Sequence, residues 1–189
     1  TVEGETFALP EPFHVIATAN PIEYEGTYPL PEAQLDRFLM RVGFGYPTAE
    51  EEYDVIARRV ERRREEVVLD RVTDAAGLRA LQETVEAVRV DPSVGRYCVD
   101  LVAATREHRE VLTGSSPRGS LGLVLAARAF ATIRGRDYVI PEDVKAVARP
   151  VLGHRITIKP ELWMTEASGR SVVDDVLLRV DTPTALETR

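Results

Sequence analysis

Three side chains in this sequence could do chemistry on a phosphate: Asn20, Arg37 and Arg118. Asn20 follows the apolar run Val15-Ile16-Ala17 and precedes Pro21, in the stretch ATANPIEYEGTYPLPEAQLDRF. An amide both donates and accepts, so at the carboxyl end of a buried strand it can orient an attacking water beside a γ-phosphate. Asn-Pro is also an ordinary turn former, which alone requires no further role. Arg37 stands in Leu35-Asp36-Arg37-Phe38, on a short helix that follows the Pro-, Gly- and acid-containing loop. A guanidinium fork stays charged and matches two phosphate oxygens. Supplied to a phosphoryl transfer, one such arginine is worth about 10³–10⁵ in rate, or roughly 4–7 kcal/mol of barrier. The other role open to Arg37 is a helix-surface ion pair with Asp36 or Glu32, worth under about 1 kcal/mol. Arg118 lies in TGSSPRGSLG, where Ser116 suits an N-cap and Pro117 the first helical turn. A cation there opposes the helix dipole by a few tenths of a kcal/mol, and a cost without local return hints at a bound anion.

These residues need elements to hold them. Phe13 to Ala19, FHVIATA, has small or β-branched inner residues and no polar alternation, the pattern of a central strand covered on both faces. Thr1 to Leu9 reads as part of a hairpin around Gly4, and Arg41–Gly45 as a brief strand. A central strand needs neighbours, and this chain offers too few. The expectation is therefore the C-terminal part of a larger protein, with the first strands of a parallel sheet elsewhere. From Thr48 the pattern turns helical. Thr48 with Glu51 forms a capping box, and Tyr53, Ile56, Ala57 and Val60 make one stripe. A second helix opens at Thr73 or Asp74 with Leu78, Leu81, Val85 and Val88 inward. A third follows Asp91-Pro92 and buries Val94, Tyr97, Cys98, Leu101 and Val102. LGLVLAARAFATI is apolar nearly all round and so belongs at the centre of a bundle, ended by Gly135. Pro141-Glu142-Asp143 starts a helix through about Leu152, with Ile140 where a capping Thr would be better. Trp163-Met164 is expected to pack on the bundle, and a last helix runs from about Ser171 to Arg179.

Composition excludes several classes. The 189 residues carry a net charge of −7, against a broad nucleic-acid surface, and the arginine run at Arg58, Arg59 and Arg62 to Arg64 reads as a solvated helix end. No apolar run approaches the ~18 residues that a membrane helix needs. The single cysteine, Cys98, cannot make an internal disulfide and fits a reducing, cytoplasmic setting as a buried apolar residue. His108 reads as a surface residue, with no ligand at metal spacing beside it, so no metal site is expected.

Together ATANPIEYEGTYPLPEAQLDRF, TGSSPRGSLGL and GRDYVIPEDVKAVARPVLGHR resemble the MoxR branch of the AAA+ ATPases, in order and at family spacing. Related magnesium-chelatase ATPases share the Asn-Pro and an LDRF-like piece but not GTYPLPEAQ. The resemblance implies that Asn20 is sensor 1, Arg37 the arginine finger and Arg118 the sensor-2 arginine. It makes Thr1 to Pro12 the hairpin before sensor 1, and leaves Glu32 and Asp36 in the shared motif without separate roles. The implied fold is an α/β remnant of a P-loop core over residues 1–47, then an all-α helical lid over residues 48–189, mainly α overall.

The sequence also departs from the family. It has no G-x-x-x-x-G-K-[ST] and no strand ending in paired acids, so Walker A and Walker B are absent from it. The implied ATP and Mg²⁺ therefore belong to the full-length protein; this stretch alone should neither bind them tightly nor hydrolyse ATP. The implied activity is chaperone-like remodelling driven by ATP. The implied partners are neighbouring subunits of a homo-oligomeric ring, a hexamer, and a protein with a von Willebrand factor A domain. Two rivals stand beside this reading. One is a non-catalytic helical interaction module that keeps the ancestry only in shape; the other, DNA handling, is disfavoured by the acidic charge.

Overall fold

The computed structural model describes residues 3–19 and 31–184. Helices dominate. In chain order they are α1 (Glu32–Leu35), α2 (Ala49–Arg62), α3 (Ala75–Ala87), α4 (Pro92–Glu107), α5 (Pro117–Ile133), α6 (Pro141–Leu152) and α7 (Gly169–Arg179). Between them lie two short strands, β1 (Val111–Thr113) and β2 (Thr157–Ile158), paired antiparallel. Single 3₁₀ turns occupy Gly153–Arg155 and Pro160–Leu162.

The helix starts follow local chemistry. Thr48 and Glu51 form the expected capping box on α2, and Asp74 caps α3 through the Gly77 N–H. Asp91 caps α4 with Pro92 at the first position, and Ser116 caps α5 with Pro117 behind it. At α6 the cap residue is Ile140, whose side chain makes no capping bond. Asp143 offsets the loss: its carboxylate accepts the Ile140 N–H at 2.9 Å and both arms of Arg136 at 2.5 and 2.7 Å.

The core gathers around α5. Leu123, Ala127 and Ala131 face Val144, Val147, Ala148 and Val151 of α6, with Leu101 and Val102 of α4 and Val172, Val173 and Val176 of α7 closing the sides. Two glycines allow α5 to lie close to α6. A Cβ on Gly122 would stand 3.1 Å from Val151 Cγ1, and one on Gly119 would stand 2.9 Å from Leu152 Cδ2. Cys98 is buried on α4, and burial pushes its thiol up to about 11, as suits an unreactive core residue.

Several expectations are corrected. Phe13–Ala19 and Arg41–Gly45 adopt no strand. Val15 is 63 % exposed and Ile16 91 %, because no strand lies beside them among the described residues to take their hydrogen bonds. The hairpin expected over Thr1–Leu9 falls partly outside the described residues, and within them only Glu5 sits in an isolated bridge. The α2 stripe of Tyr53, Ile56 and Val60 is exposed, as is Leu81 of α3. The buried core starts at Val88. Helix α5 is not apolar-packed all round, since Leu121, Leu125 and Ile133 face outward. Trp163 and Met164 do not pack on the bundle; they are 69 % and 98 % exposed. His108 is buried rather than on the surface, with Nε2 3.2 Å from Asp175 Oδ2. Its location at the end of α4 faces α7, a tertiary contact that no local pattern announces.

Candidate functional site

The TGSSPRG turn is built to aim one side chain. Gly114 must be glycine, because a Cβ there would fall 2.6 Å from the Arg106 Cα. That close approach lets Arg106 Nε donate to the Ser115 carbonyl at 2.8 Å, while the buried Ser115 N–H donates to Thr105 Oγ1 at 3.1 Å. The turn is thus pinned to α4. Ser116 then caps α5, accepting the Arg118 N–H at 3.3 Å. Arg118 emerges in the first turn with its side chain 57 % exposed.

The Leu35-Asp36-Arg37-Phe38 piece lies against this turn and against the end of α6. Helix α1 stops at Leu35, so Asp36 and Arg37 occupy the turn after it rather than the helix itself. The Asp36 carboxylate is the meeting point. It accepts from Arg155 Nη1 at 2.7 Å, from Ser116 Oγ at 3.2 and 3.3 Å, and from Arg118 Nη1 at 3.4 Å. Burial alone would raise this carboxyl; the Arg155 hydrogen bond and charge, helped by Ser116 and Arg118, outweigh it and hold Asp36 below its ordinary range. Arg155 Nη1 also reaches the Asp36 carbonyl at 2.5 Å, and Nη2 reaches the Phe38 carbonyl at 2.7 Å. His154 Nε2 lies 3.1 Å from the same Phe38 carbonyl. A carbonyl only accepts, so Nε2 carries the proton. Burial lowers the His154 pKa, which keeps the ring neutral near pH 7. Finally the Arg41 N–H donates to the Pro150 carbonyl at 2.8 Å.

Arg37 is exposed, and among the described residues no ion pair involves it. The Asp36 carboxylate is instead occupied by Arg155, Ser116 and Arg118. Arg118 therefore reaches the Asp36 carboxylate from the start of α5, and Arg37, the next residue after Asp36, is exposed. Asn20 lies outside the described residues. Sequence reasoning missed Asp36, Arg155, His154 and the second bond of Ser116. The available signal was the His154-Arg155 pair ending the third motif, whose residues had no assigned work.

An exposed arginine in the first turn of a long helix can receive an anion with several oxygens. No cation site accompanies it: among the described residues no group of three His, Cys, Asp or Glu side chains could hold a metal ion.

Comparison with known proteins agrees with this architecture. Residues 103–176 match the AAA lid domain model, and residues 1–40 match the model of the ATPase family associated with various cellular activities. An uncharacterised Bacillus subtilis protein, YeaC, is 44 % identical over 97 % of this chain and 57 % of its own length. The chaperone MoxR1 of Mycobacterium tuberculosis is 41 % identical over 97 % of this chain and 50 % of its own length. The crystal structure of a candidate ATPase from Cytophaga hutchinsonii superposes with a TM-score of 0.88 at 35 % identity, covering 97 % of this chain and 58 % of that one. The chain thus spans 50 % to 58 % of the length of these relatives. With matches to both family models, in the order that the motifs require, the chain belongs to the MoxR family of AAA+ ATPases.

Proposed function

We propose that this chain supplies the arginine finger and the sensor-2 lid of a ring-forming ATPase. Arg37 completes the nucleotide site of the neighbouring subunit, and Arg118 contacts the nucleotide of its own subunit. Asn20 orients the attacking water. The observation that carries the proposal is the pair of exposed guanidinium groups, Arg37 and Arg118, on two elements that meet at Asp36.

The residues present fit part of what family membership implies. Arg118, in the first turn of a 17-residue helix, suits the triphosphate of ATP. They do not by themselves fit Mg²⁺, because among the described residues no three His, Cys, Asp or Glu side chains converge to hold a metal ion, so no step is derived through the metal. When bound, ATP supplies the phosphoryl group; these side chains bind, orient and neutralise. Arg37 is exposed, as a group acting on a second subunit must be. The exposed faces of Val15, Ile16 and the α2 stripe support a reading in which a further α/β core covers them in the full-length protein.

The parent on this proposal is a cytoplasmic hexamer that remodels client complexes in a chaperone-like way, beside a von Willebrand factor A domain partner. The name of the Mycobacterium tuberculosis relative supports the chaperone part. No described helix is long and apolar enough to cross a membrane. The test is Arg37→Ala in the full-length protein. Steady-state ATP turnover should fall by about 10³ or more, with nucleotide affinity held within a factor of about three, because the residue serves the adjacent site. Turnover within a factor of about two of wild type would remove the finger assignment.

A further inference from the structure

Arg155, in the 3₁₀ turn that follows α6, has a side chain only 3 % exposed. A guanidinium carries five N–H donors, and here every one has an acceptor. Nε donates to the Val151 carbonyl at 2.8 Å, within α6. Nη1 donates to the Asp36 carbonyl at 2.5 Å and to Asp36 Oδ1 at 2.7 Å. Nη2 donates to the Phe38 carbonyl at 2.7 Å and to the Leu39 carbonyl at 3.4 Å. One bond therefore grips the lid and the rest grip residues 36–39. The Asp36 and Phe38 carbonyls flank Arg37 in the chain, so the backbone on both sides of Arg37 is tied to α6. The opposite side of the same Asp36 carboxylate holds Ser116 and Arg118, at the start of α5.

Stability alone does not call for this arrangement. A buried ion pair is often replaceable by apolar side chains without loss. A buried cation spending its donors on three consecutive-turn carbonyls instead fixes a direction. No other side chain could do it: lysine has three donors on one atom and no planar fork.

We infer that Arg155, with Asp36, is the positioning residue for Arg37. It makes the Arg37 turn move as one body with α5 and α6, so that a nucleotide-dependent displacement of the lid at Arg118 is delivered to the guanidinium offered to the next subunit. This rests on the reading of Arg37 as a finger acting in trans.

The experiment compares Arg155→Lys, Arg37→Ala and the double variant in the assembled full-length protein. Steady-state ATP turnover and the hydrogen exchange of the Arg41 amide, which bonds to Pro150, are both read. Arg155→Lys should lower kcat by about 100-fold with KM within about twofold, the scale of a reacting group displaced by about 1 Å. The Arg41 amide should lose protection in Arg155→Lys but keep it in Arg37→Ala. The double variant should be no slower than Arg37→Ala, since Arg155 acts only through Arg37. Fold-losses that multiply in the double variant overturn the inference, as does unchanged kcat with Arg41 protection lost. Full turnover in Arg37→Ala alone would instead sink the finger reading, which separates the two failures. Should Arg155→Lys fail to assemble, Asp36→Asn keeps the size and removes the paired charge; the same non-additivity with Arg37→Ala is expected, and multiplication again refutes it.

Discussion

Replacing either of two helical glycines by alanine should move stability in opposite directions. Helix propensity alone says that both changes stabilise, by about 0.5–1 kcal/mol, because glycine loses more backbone freedom on folding. At Gly95, on α4, a new Cβ meets nothing within 4 Å, so the propensity gain should appear in full. At Gly119, on α5, the Cβ would stand 2.1 Å from Ser115 Oγ and 2.9 Å from Leu152 Cδ2. Ser115 and Leu152 are both fully buried, so neither side chain has open space to swing into, and relief would shift the turn that presents Arg118. Overpacking of this kind costs about 1–3 kcal/mol, which outweighs the propensity gain and leaves roughly 1–2 kcal/mol of destabilisation. The assay is urea unfolding of the 189-residue chain followed by helical circular dichroism. With a slope near ~2 kcal/mol per molar, Gly119→Ala should lower the midpoint by about 0.5–1 M and Gly95→Ala should raise it by about 0.3–0.5 M. A midpoint for Gly119→Ala at or above that of the parent would refute the close α5 packing argued for this turn.

Two further outcomes concern charge. Asp143→Ala should lower the urea midpoint more than Gly119→Ala does, because it strips the Ile140 N–H of its acceptor and leaves Arg136 without its carboxylate at a nearly closed site. Burial would raise the Asp143 carboxyl, but the Arg136 hydrogen bonds and the Ile140 N–H hold it below the ordinary carboxylate range. Its stabilisation is therefore complete above that range and is lost as pH falls through the depressed value, a loss that Asp143→Ala should not show. His154 titrates in a different window. Its folded pKa lies below 6.5, chiefly through burial, with Arg155 and Arg41 adding repulsion. The unfolded chain then takes up the proton first, so stability should decline as pH drops below 6.5, and His154→Gln should flatten that slope.

Legibility followed the range of the interactions. Caps and breakers act within one turn, so Thr48 with Glu51, Asp91-Pro92, Ser116-Pro117 and Gly135 could be read from their neighbours alone. The buried faces of α4 and α6 were legible too, because both helices pack within the bundle. The Phe13–Ala19 strand failed for the opposite reason: its pattern is written for neighbours that the described residues do not contain, so the apolar side chains stand in water. The same holds for Tyr53, Ile56 and Val60 of α2. At the site, Arg118 stood out as a candidate because a cation in the first turn of a helix opposes the dipole, whereas Arg37 had a local ion pair with Asp36 or Glu32 open to it. Asp36 and Arg155 could not be singled out, because their meeting spans more than a hundred residues of chain and leaves no periodic trace. Ile140 shows how local reading can misjudge a cost, since the missing cap is offset from below by Asp143.

The proposal that Arg37 serves one subunit and Arg118 another makes a sharp demand on mixed rings. Full-length Arg37→Ala and Arg118→Ala proteins should each be nearly inactive in ATP turnover. Co-assembled in equal amounts, roughly a quarter of the head-to-tail interfaces should pair an intact Arg118 on the nucleotide-holding subunit with an intact Arg37 on its neighbour. Turnover recovering toward that fraction of wild type is the result expected. A mixture as inactive as its separate components, with co-assembly demonstrated, would show that both arginines act within one subunit, and the trans assignment would fall.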